Sequence, residues 1–180
     1  MSDTARSGTP EPAADSRSNY DHKSGEIERP GLMADLDALV EGEVRFDTYT
    51  RNLYATDASA YQQLPIGVVA PRTTDDVKAV MEYCAENEIP VLPRGGGTSL
   101  AGQAVNEAVV LDFKKEMDAV LDIDPDAATA RAQPGITLAR LNNNLKPHGL
   151  KYAPDPAWGD KSVLGGCIGN NTTGAHSLKY

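Results

Sequence analysis

Residues 66–92 read IGVVAPRTTDDVKAVMEYCAENEIPVL, and this stretch decides the fold class. Residues 66–70 are an apolar run enclosed by Pro65 and Pro71, the pattern of a short buried strand. Thr73 and Thr74 then offer hydroxyl caps. Asp75 and Asp76 fall in the first turn that follows, where negative charge suits a helix dipole. Val77, Val80, Met81, Cys84 and Ala85 recur at helical spacing and form the inward stripe of a helix that stops near Asn87. Residues 89–92 are apolar again and predict a second strand. Strand, helix and strand in so short a span make a βαβ unit, whose two strands lie parallel with a right-handed crossover.

Working outward, residues 108–112 (AVVLD) predict a third strand beyond a glycine-rich loop. Residues 120–123 and 129–133 read as two strands joined by the turn Asp124-Pro125-Asp126, an antiparallel hairpin. Thr137 caps a helix with Leu138, Leu141 and Leu145 inward, closing at His148 and Gly149, and residues 151–180 are loop-rich. On the other side, Leu32, Leu36, Leu39 and Val40 make one helical stripe ended by Gly42, and residues 47–63 are polar-aromatic with weak helical spacing. Residues 1–31 lack enough large aliphatics to offset the entropy of ordering, which predicts a disordered polar arm. The expected layout is α+β with a parallel βαβ start and an antiparallel continuation. It divides into the arm (1–31), a helical lead-in (32–64) and a ligand-binding domain (65–180).

The chain has 180 residues, with 17 Lys and Arg against 26 Asp and Glu, for a net charge of −9. Nucleic-acid binding is excluded, because phosphate backbones need clustered cations on one face and no basic run exists here. No apolar run approaches the roughly 18 residues of a membrane span, and no apolar segment after Met1 marks a secretory signal. Two cysteines build neither a disulfide framework nor a metal knuckle, so no metal site is expected and the setting is cytoplasmic. The acidity itself fits either a solvated, salt-adapted surface or a local accident of composition.

Chemistry concentrates in two segments. Residues 93–103 (PRGGGTSLAGQ) follow a predicted strand directly. Three side-chain-free residues let the backbone approach a ligand and take φ > 0, and such a bend points several N–H groups into one concavity suited to phosphate oxygens. Thr98 and Ser99 add hydroxyls, and Arg94 is the cation beside them. A Walker A loop is excluded because no glycine precedes Lys and then Ser or Thr. The GxGxxG fingerprint fails at Leu100. The second segment runs from Pro154-Asp155-Pro156 through residues 162–174 (SVLGGCIGNNTTG), where small residues, amides and hydroxyls suit a narrow site for a flat polar ring. Together the two segments read as facing walls of one cleft.

Residues 66–77, residues 93–103 and the segments at 154–156 and 164–174 resemble, in order and spacing, the FAD-binding domain of the vanillyl-alcohol oxidase / p-cresol methylhydroxylase flavoprotein family. The resemblance is closest to the FAD-linked D-lactate and glycolate (2-hydroxyacid) dehydrogenases. It implies a two-part α+β domain holding FAD between its parts. Gly95, Gly96, Gly97, Thr98 and Ser99 would wrap the pyrophosphate, and Gly102 and Gln103 would continue that wall. Pro154, Asp155, Ser162, Gly165, Gly166, Asn170, Asn171 and Gly174 would lie along the flavin and ribityl chain. Thr98 stands where some relatives carry a histidine that attaches FAD, so FAD is expected to bind non-covalently.

The resemblance further implies oxidation of a small 2-hydroxy acid to the 2-oxo acid; the alternatives are a same-fold oxidase of a sugar or alcohol using oxygen, or a fragment that does not bind the cofactor by itself. Hydride equivalents would pass from the substrate α-carbon to flavin N5, and an unidentified acceptor would reoxidise the flavin. The family's domain continues beyond its Asn-Asn-Thr-Thr-Gly segment into a substrate domain, so the chain is expected to be a truncated part of such an enzyme. Catalytic residues would then lie beyond Tyr180. His176 reads as a loop or packing residue, His148 as a favourable charge at a helix C-terminus, His22 as a bystander in the arm, and Cys84 and Cys167 as buried packing groups.

Overall fold

The computed structural model describes residues 31–179; the expected arm and His22 lie, but for Gly31, outside the described residues. Two sheets organise the chain. The larger has four strands in the order β1 (Glu43–Arg45), β2 (Gly67–Ala70), β4 (Val109–Asp112) and β3 (Val91–Arg94). β4 runs parallel to both β2 and β3, and β1 is antiparallel to β2. The two strands of the βαβ unit are therefore parallel, as expected, but β4 separates them. The smaller sheet is the hairpin of β5 (Val120–Asp124) and β6 (Thr129–Ala132). The architecture is α+β, parallel first and antiparallel after.

β2 and β4 are buried along their whole length, as strands covered on both faces must be. Helix α1 (Leu32–Leu39) and helix α3 (Thr74–Glu86) cover this sheet: Leu36, Val80 and Cys84 are fully buried against Val69, Val109 and Leu111. Thr73 caps α3, its hydroxyl accepting from the amide of Asp76 at 3.0 Å. The inward face of α3 differs from the expected stripe. Met81 and Ala85 are exposed, and Asp76, Val77, Val80, Tyr83 and Cys84 face the core. Asp76 is admitted because its carboxylate accepts from the amides of Glu41, Gly42 and Arg72 at 2.8–3.1 Å. Burial alone would push its pKa up; the amides of Arg72 and Glu41 and the Thr73 hydroxyl outweigh that and hold it below the usual carboxylate value.

A second core forms where helix α4 (Leu138–Leu145) lays Leu141 and Leu145 with Ile136 against Val120, Ile123, Leu150 and Tyr152. Thr137 caps α4, a 3-10 turn (Lys146–His148) extends it, and Gly149 at φ +71° ends it. Two elements depart from the sequence expectation: β1 is a strand inside the helical lead-in, and the loop-rich tail contains α5 (Leu164–Gly169). The segment of weak helical spacing holds one short helix, α2 (Thr48–Leu53), capped by Asp47. β3 also starts two residues later than expected, with Ile89 buried ahead of it as a core residue.

Neighbouring parallel strands need a crossover of a dozen or more residues, usually helical. Between β3 and β4 that crossover is the irregular stretch 95–108, so the glycine-rich loop leaves the carboxyl end of β3, where open α/β sheets place their ligands.

Candidate functional site

The sheet layer contributes residues 95–100, and the hairpin layer contributes residues 156–173. The second wall is anchored by backbone pairing to the turn before α4: Leu138 N donates to Ser162 O at 3.1 Å, Leu164 N to Ile136 O at 2.9 Å, and Gly165 N to Pro134 O at 2.9 Å. The walls meet. A Cβ at Gly95 would fall on the Val163 side chain, and one at Gly96 on the Lys161 carbonyl. Thr98 Oγ1 lies 3.4 Å from Ser162 Oγ across the junction. The first two glycines are thus required by the approach of one protein segment to another. Gly97, at φ +64°, supplies the left-handed turn that follows.

The cleft between the walls has a volume of about 710 Å3, within the roughly 300–1,000 Å3 of small-molecule and cofactor sites. Among the expected residues, Gly95, Gly96, Gly97, Thr98, Ser99, Gln103, Ser162, Gly165, Gly166 and Asn170 line it. Gly102, Pro154, Asp155, Asn171 and Gly174 do not. Gly102 borders a smaller hollow with Tyr61 and Gln63. Gly174 packs on the carbonyls of Pro154 and Asp155, and Ala175 N donates to Asp155 O. Asp155 sits at φ +55°, its carboxylate 3.0 Å from His176 Nδ1 and 3.5 Å from Lys151 Nζ. His176 therefore has a partner that sequence reading did not see.

Sequence reading missed Phe113, Pro134 and Trp158 as lining residues; Cys167, Thr172 and Thr173, inside the second segment but not singled out there, also line the cleft. Trp158 left a signal: it is the sole tryptophan, it sits between Pro156 and Gly159, and Lys161 Nζ lies 5.4 Å from its ring centre.

The first wall carries a row of open donors. Among the described residues, no hydrogen bond takes up the amide N–H of Gly95, Gly96, Gly97, Thr98, Ser99 or Leu100. These residues are half-buried apart from exposed Leu100, and buried or half-buried amides normally find partners. Consecutive unpaired amides beside a cleft are directed dipoles of the kind that suits anion oxygens at short range, whatever the net charge of the chain, here −9. Arg94 also lines the cleft, and three of its five N–H groups, on Nη1 and Nη2, donate to the carbonyls of Tyr54, Ala104 and Thr56.

The titratable side chains lining the cleft are Arg94 and Cys167. Burial pushes the Cys167 thiol up from its ordinary value, opposed in part by a hydrogen bond with Thr172. Among the described residues, small side chains, hydroxyls and amides make up much of the rest of the lining.

Residues 65–180 match a family model described as an FAD binding domain. The chain is 36% identical to a D-2-hydroxyglutarate dehydrogenase of Haemophilus influenzae, over 78% of this chain and 14% of that protein. It is 38% identical to the glycolate oxidase subunit GlcD of Bacillus subtilis, over 78% of this chain and 31% of that protein. It therefore spans between about a seventh and a third of the length of these relatives. In fold it is similar to an alkyldihydroxyacetonephosphate synthase (TM-score 0.74, 23% identity, 84% of this chain and 31% of the other). It is similar too to p-cresol methylhydroxylase (TM-score 0.63, 22% identity, 82% and 29%). No helix among the described residues is long and apolar enough to cross a membrane.

Proposed function

The chain belongs to the FAD binding domain family, and from that premise we propose that its cleft is the FAD seat of an oxidoreductase that converts a small 2-hydroxy acid to the 2-oxo acid. One observation carries the reading: the six unpaired amides of residues 95–100 lie beside a cleft of cofactor size. Those amides would hold the diphosphate, with the Thr98, Ser99 and Ser162 hydroxyls beside it. Gly165, Gly166 and Asn170, with Trp158 and Phe113, offer the small and flat surfaces a ring system needs. Pro154, Asp155 and Gly174 would act behind that wall, by fixing the tail to the loop that precedes α5, Asn171 by turning the chain at the end of α5, and Gly102 by shaping the end of the first loop. Bound FAD would supply the acceptor for the two electrons and the proton-coupled chemistry that the side chains here lack.

Binding is non-covalent in this proposal. Thr98 stands at the position of the attaching histidine, and His176 is engaged with Asp155 outside the cleft lining. The substrate class follows the relatives, whose names specify D-2-hydroxyglutarate and glycolate. A separate acceptor would then take the electrons from FAD. The acidic composition and the two buried thiols, Cys84 and Cys167, support a reducing, cytoplasmic setting.

Titration of the 180-residue chain with FAD, followed by quenching of flavin fluorescence, tests the seat. Saturable binding released by heat or acid precipitation is expected. A chain that leaves the fluorescence unchanged, or that retains flavin after denaturation, would contradict the seat and the non-covalent mode respectively. Dye reduction by the longer enzyme that carries this domain, with D-lactate, glycolate and D-2-hydroxyglutarate and set against peroxide formation, tests the reaction class.

A further inference from the structure

Arg94, at the end of β3, is half-buried, and its bonds connect three separate parts of the chain. Nη1 donates to the carbonyls of Tyr54 (3.0 Å) and Ala104 (2.8 Å), and Nη2 donates to Thr56 (2.7 Å). The guanidinium carbon lies 5.2 Å from the centre of the Tyr54 ring. The Tyr54 hydroxyl donates to Asp112 Oδ2 at 2.5 Å, and Asp112 is the β4 partner of Arg94 in the sheet register. Two further bonds close the frame. Ala58 N donates to Gly97 O at 3.0 Å, and Ala104 N donates to Asp57 Oδ2 at 3.3 Å.

The glycine-rich loop thus leaves the sheet at Arg94 and is clipped back at Ala104 by the Arg94 side chain itself. Its middle hangs from Ala58. A Cβ at Gly97 would come within 2.8 Å of Arg94 Nη2, so the loop backbone rests directly on the guanidinium. A compact surface loop with joined ends holds its shape through such internal packing. Here what is held is a row of amides whose own hydrogen bonds are unmade.

Resting on the FAD seat proposed above, we infer that Arg94 is a positioning residue for cofactor binding. Its planar fork, with Tyr54 and residues 56–58, fixes the loop whose amides receive the diphosphate, and the guanidinium does not bind the anion itself. Residues 54–58, which precede the family-matched region, are thereby part of the cofactor site. The fork is specific to arginine: lysine keeps the charge but presents one nitrogen, which cannot reach three carbonyls in that plane.

The test compares wild type, Arg94→Lys and Arg94→Ala by amide hydrogen exchange without FAD and by FAD titration. In Arg94→Lys, protection of the Ala58 and Ala104 amides is expected to fall, with β2 and β4 unchanged, as a local opening requires. FAD affinity should drop about ten-fold or more, the scale of one charge-assisted hydrogen bond. Millimolar guanidinium should restore part of both in Arg94→Ala, and ammonium should not. Unchanged Ala58 protection in Arg94→Lys would overturn the inference. So would a uniform rise in exchange across β2 and β4, which would make Arg94 a general fold residue. Loss of FAD binding with unchanged Ala58 protection would mark the guanidinium as an anion ligand and overturn it too. Failure of the FAD seat is seen separately, as absent binding by wild type, and the exchange data then still judge the brace.

Discussion

The two glycine-rich segments share a composition and differ in backbone. Residues 95–97 run through an irregular bend with open amides, whereas Gly165, Gly166 and Gly169 sit within helix α5, where four of the six residues have side chains no larger than a thiol. In α5 the amides of Leu164, Gly165 and Cys167 are already bonded to Ile136, Pro134 and Val163. Glycine raises the entropy cost of a helix by roughly 1 kcal/mol per residue, so α5 persists only because tertiary bonds hold it. The comparison teaches that lack of a side chain serves two ends here. In the first segment it lets a bend pass close against the facing wall and turn at Gly97, and in the second it lets a helix lie flat against Pro134.

Substitution separates these ends. The largest effect is expected for Gly96→Val, whose Cβ would fall on the Lys161 carbonyl. Overpacking of this kind costs about 1–3 kcal/mol, and prising the walls apart should abolish measurable FAD binding at concentrations that saturate wild type. Wild-type affinity in that variant would show that the two segments do not act as one site.

Asp76→Asn serves as the contrast outside both segments. Removing a buried carboxylate that accepts three amides should lower stability at neutral pH by about 1–3 kcal/mol, seen in the urea midpoint, without altering FAD affinity per folded molecule. Its pH dependence has a fixed sign. The native pKa is depressed, so the unfolded chain binds the proton more readily. The stability due to the ionised group is complete above the ordinary carboxylate range and is lost as pH falls through the native value. Wild type should therefore weaken below about pH 4, and the variant should lack that part of the slope.

A smaller effect is expected for Gly165→Ala. Alanine favours helix by about 1 kcal/mol, but its Cβ would sit 2.6 Å from Pro134 Cβ, and a net loss of about 1 kcal/mol should appear as a lower Tm. Gly169→Ala meets nothing within 4 Å and should raise stability by about 0.5 kcal/mol. Equal shifts in Tm for these two variants would mean that close packing does not explain the glycines of α5.

Much of the sheet layer was legible because its signals are local. Prolines bracket β2, threonines cap α3 and α4, and Asp124-Pro125-Asp126 turns the hairpin. β1 was not legible, because Glu43-Val44-Arg45 offers one aliphatic residue and its strand character comes from pairing with β2. α5 escaped because its propensity opposes the structure it adopts. Met81 and Ala85 fit the helical period yet face solvent, since buried Asp76 and the bond from Tyr83 to Asp35 set the rotation of α3. In the site, both walls were legible from glycine and hydroxyl content. Arg94 was visible as a cation, but its role depends on carbonyls at 54, 56 and 104 that only the folded chain assembles.

The central place of β4 bears on how the chain comes off the ribosome. β2 and β3 emerge first, yet neither has its parallel neighbour until residue 112 has been made, because the strand that joins them is synthesised last of the three. Docking that strand is a non-local step, slowed by the chain that must close behind it. The same event draws the two ends of the glycine-rich crossover together. Ordering of the glycine-rich crossover is therefore coupled to completion of the sheet, and a nascent chain halted before β4 would have neither.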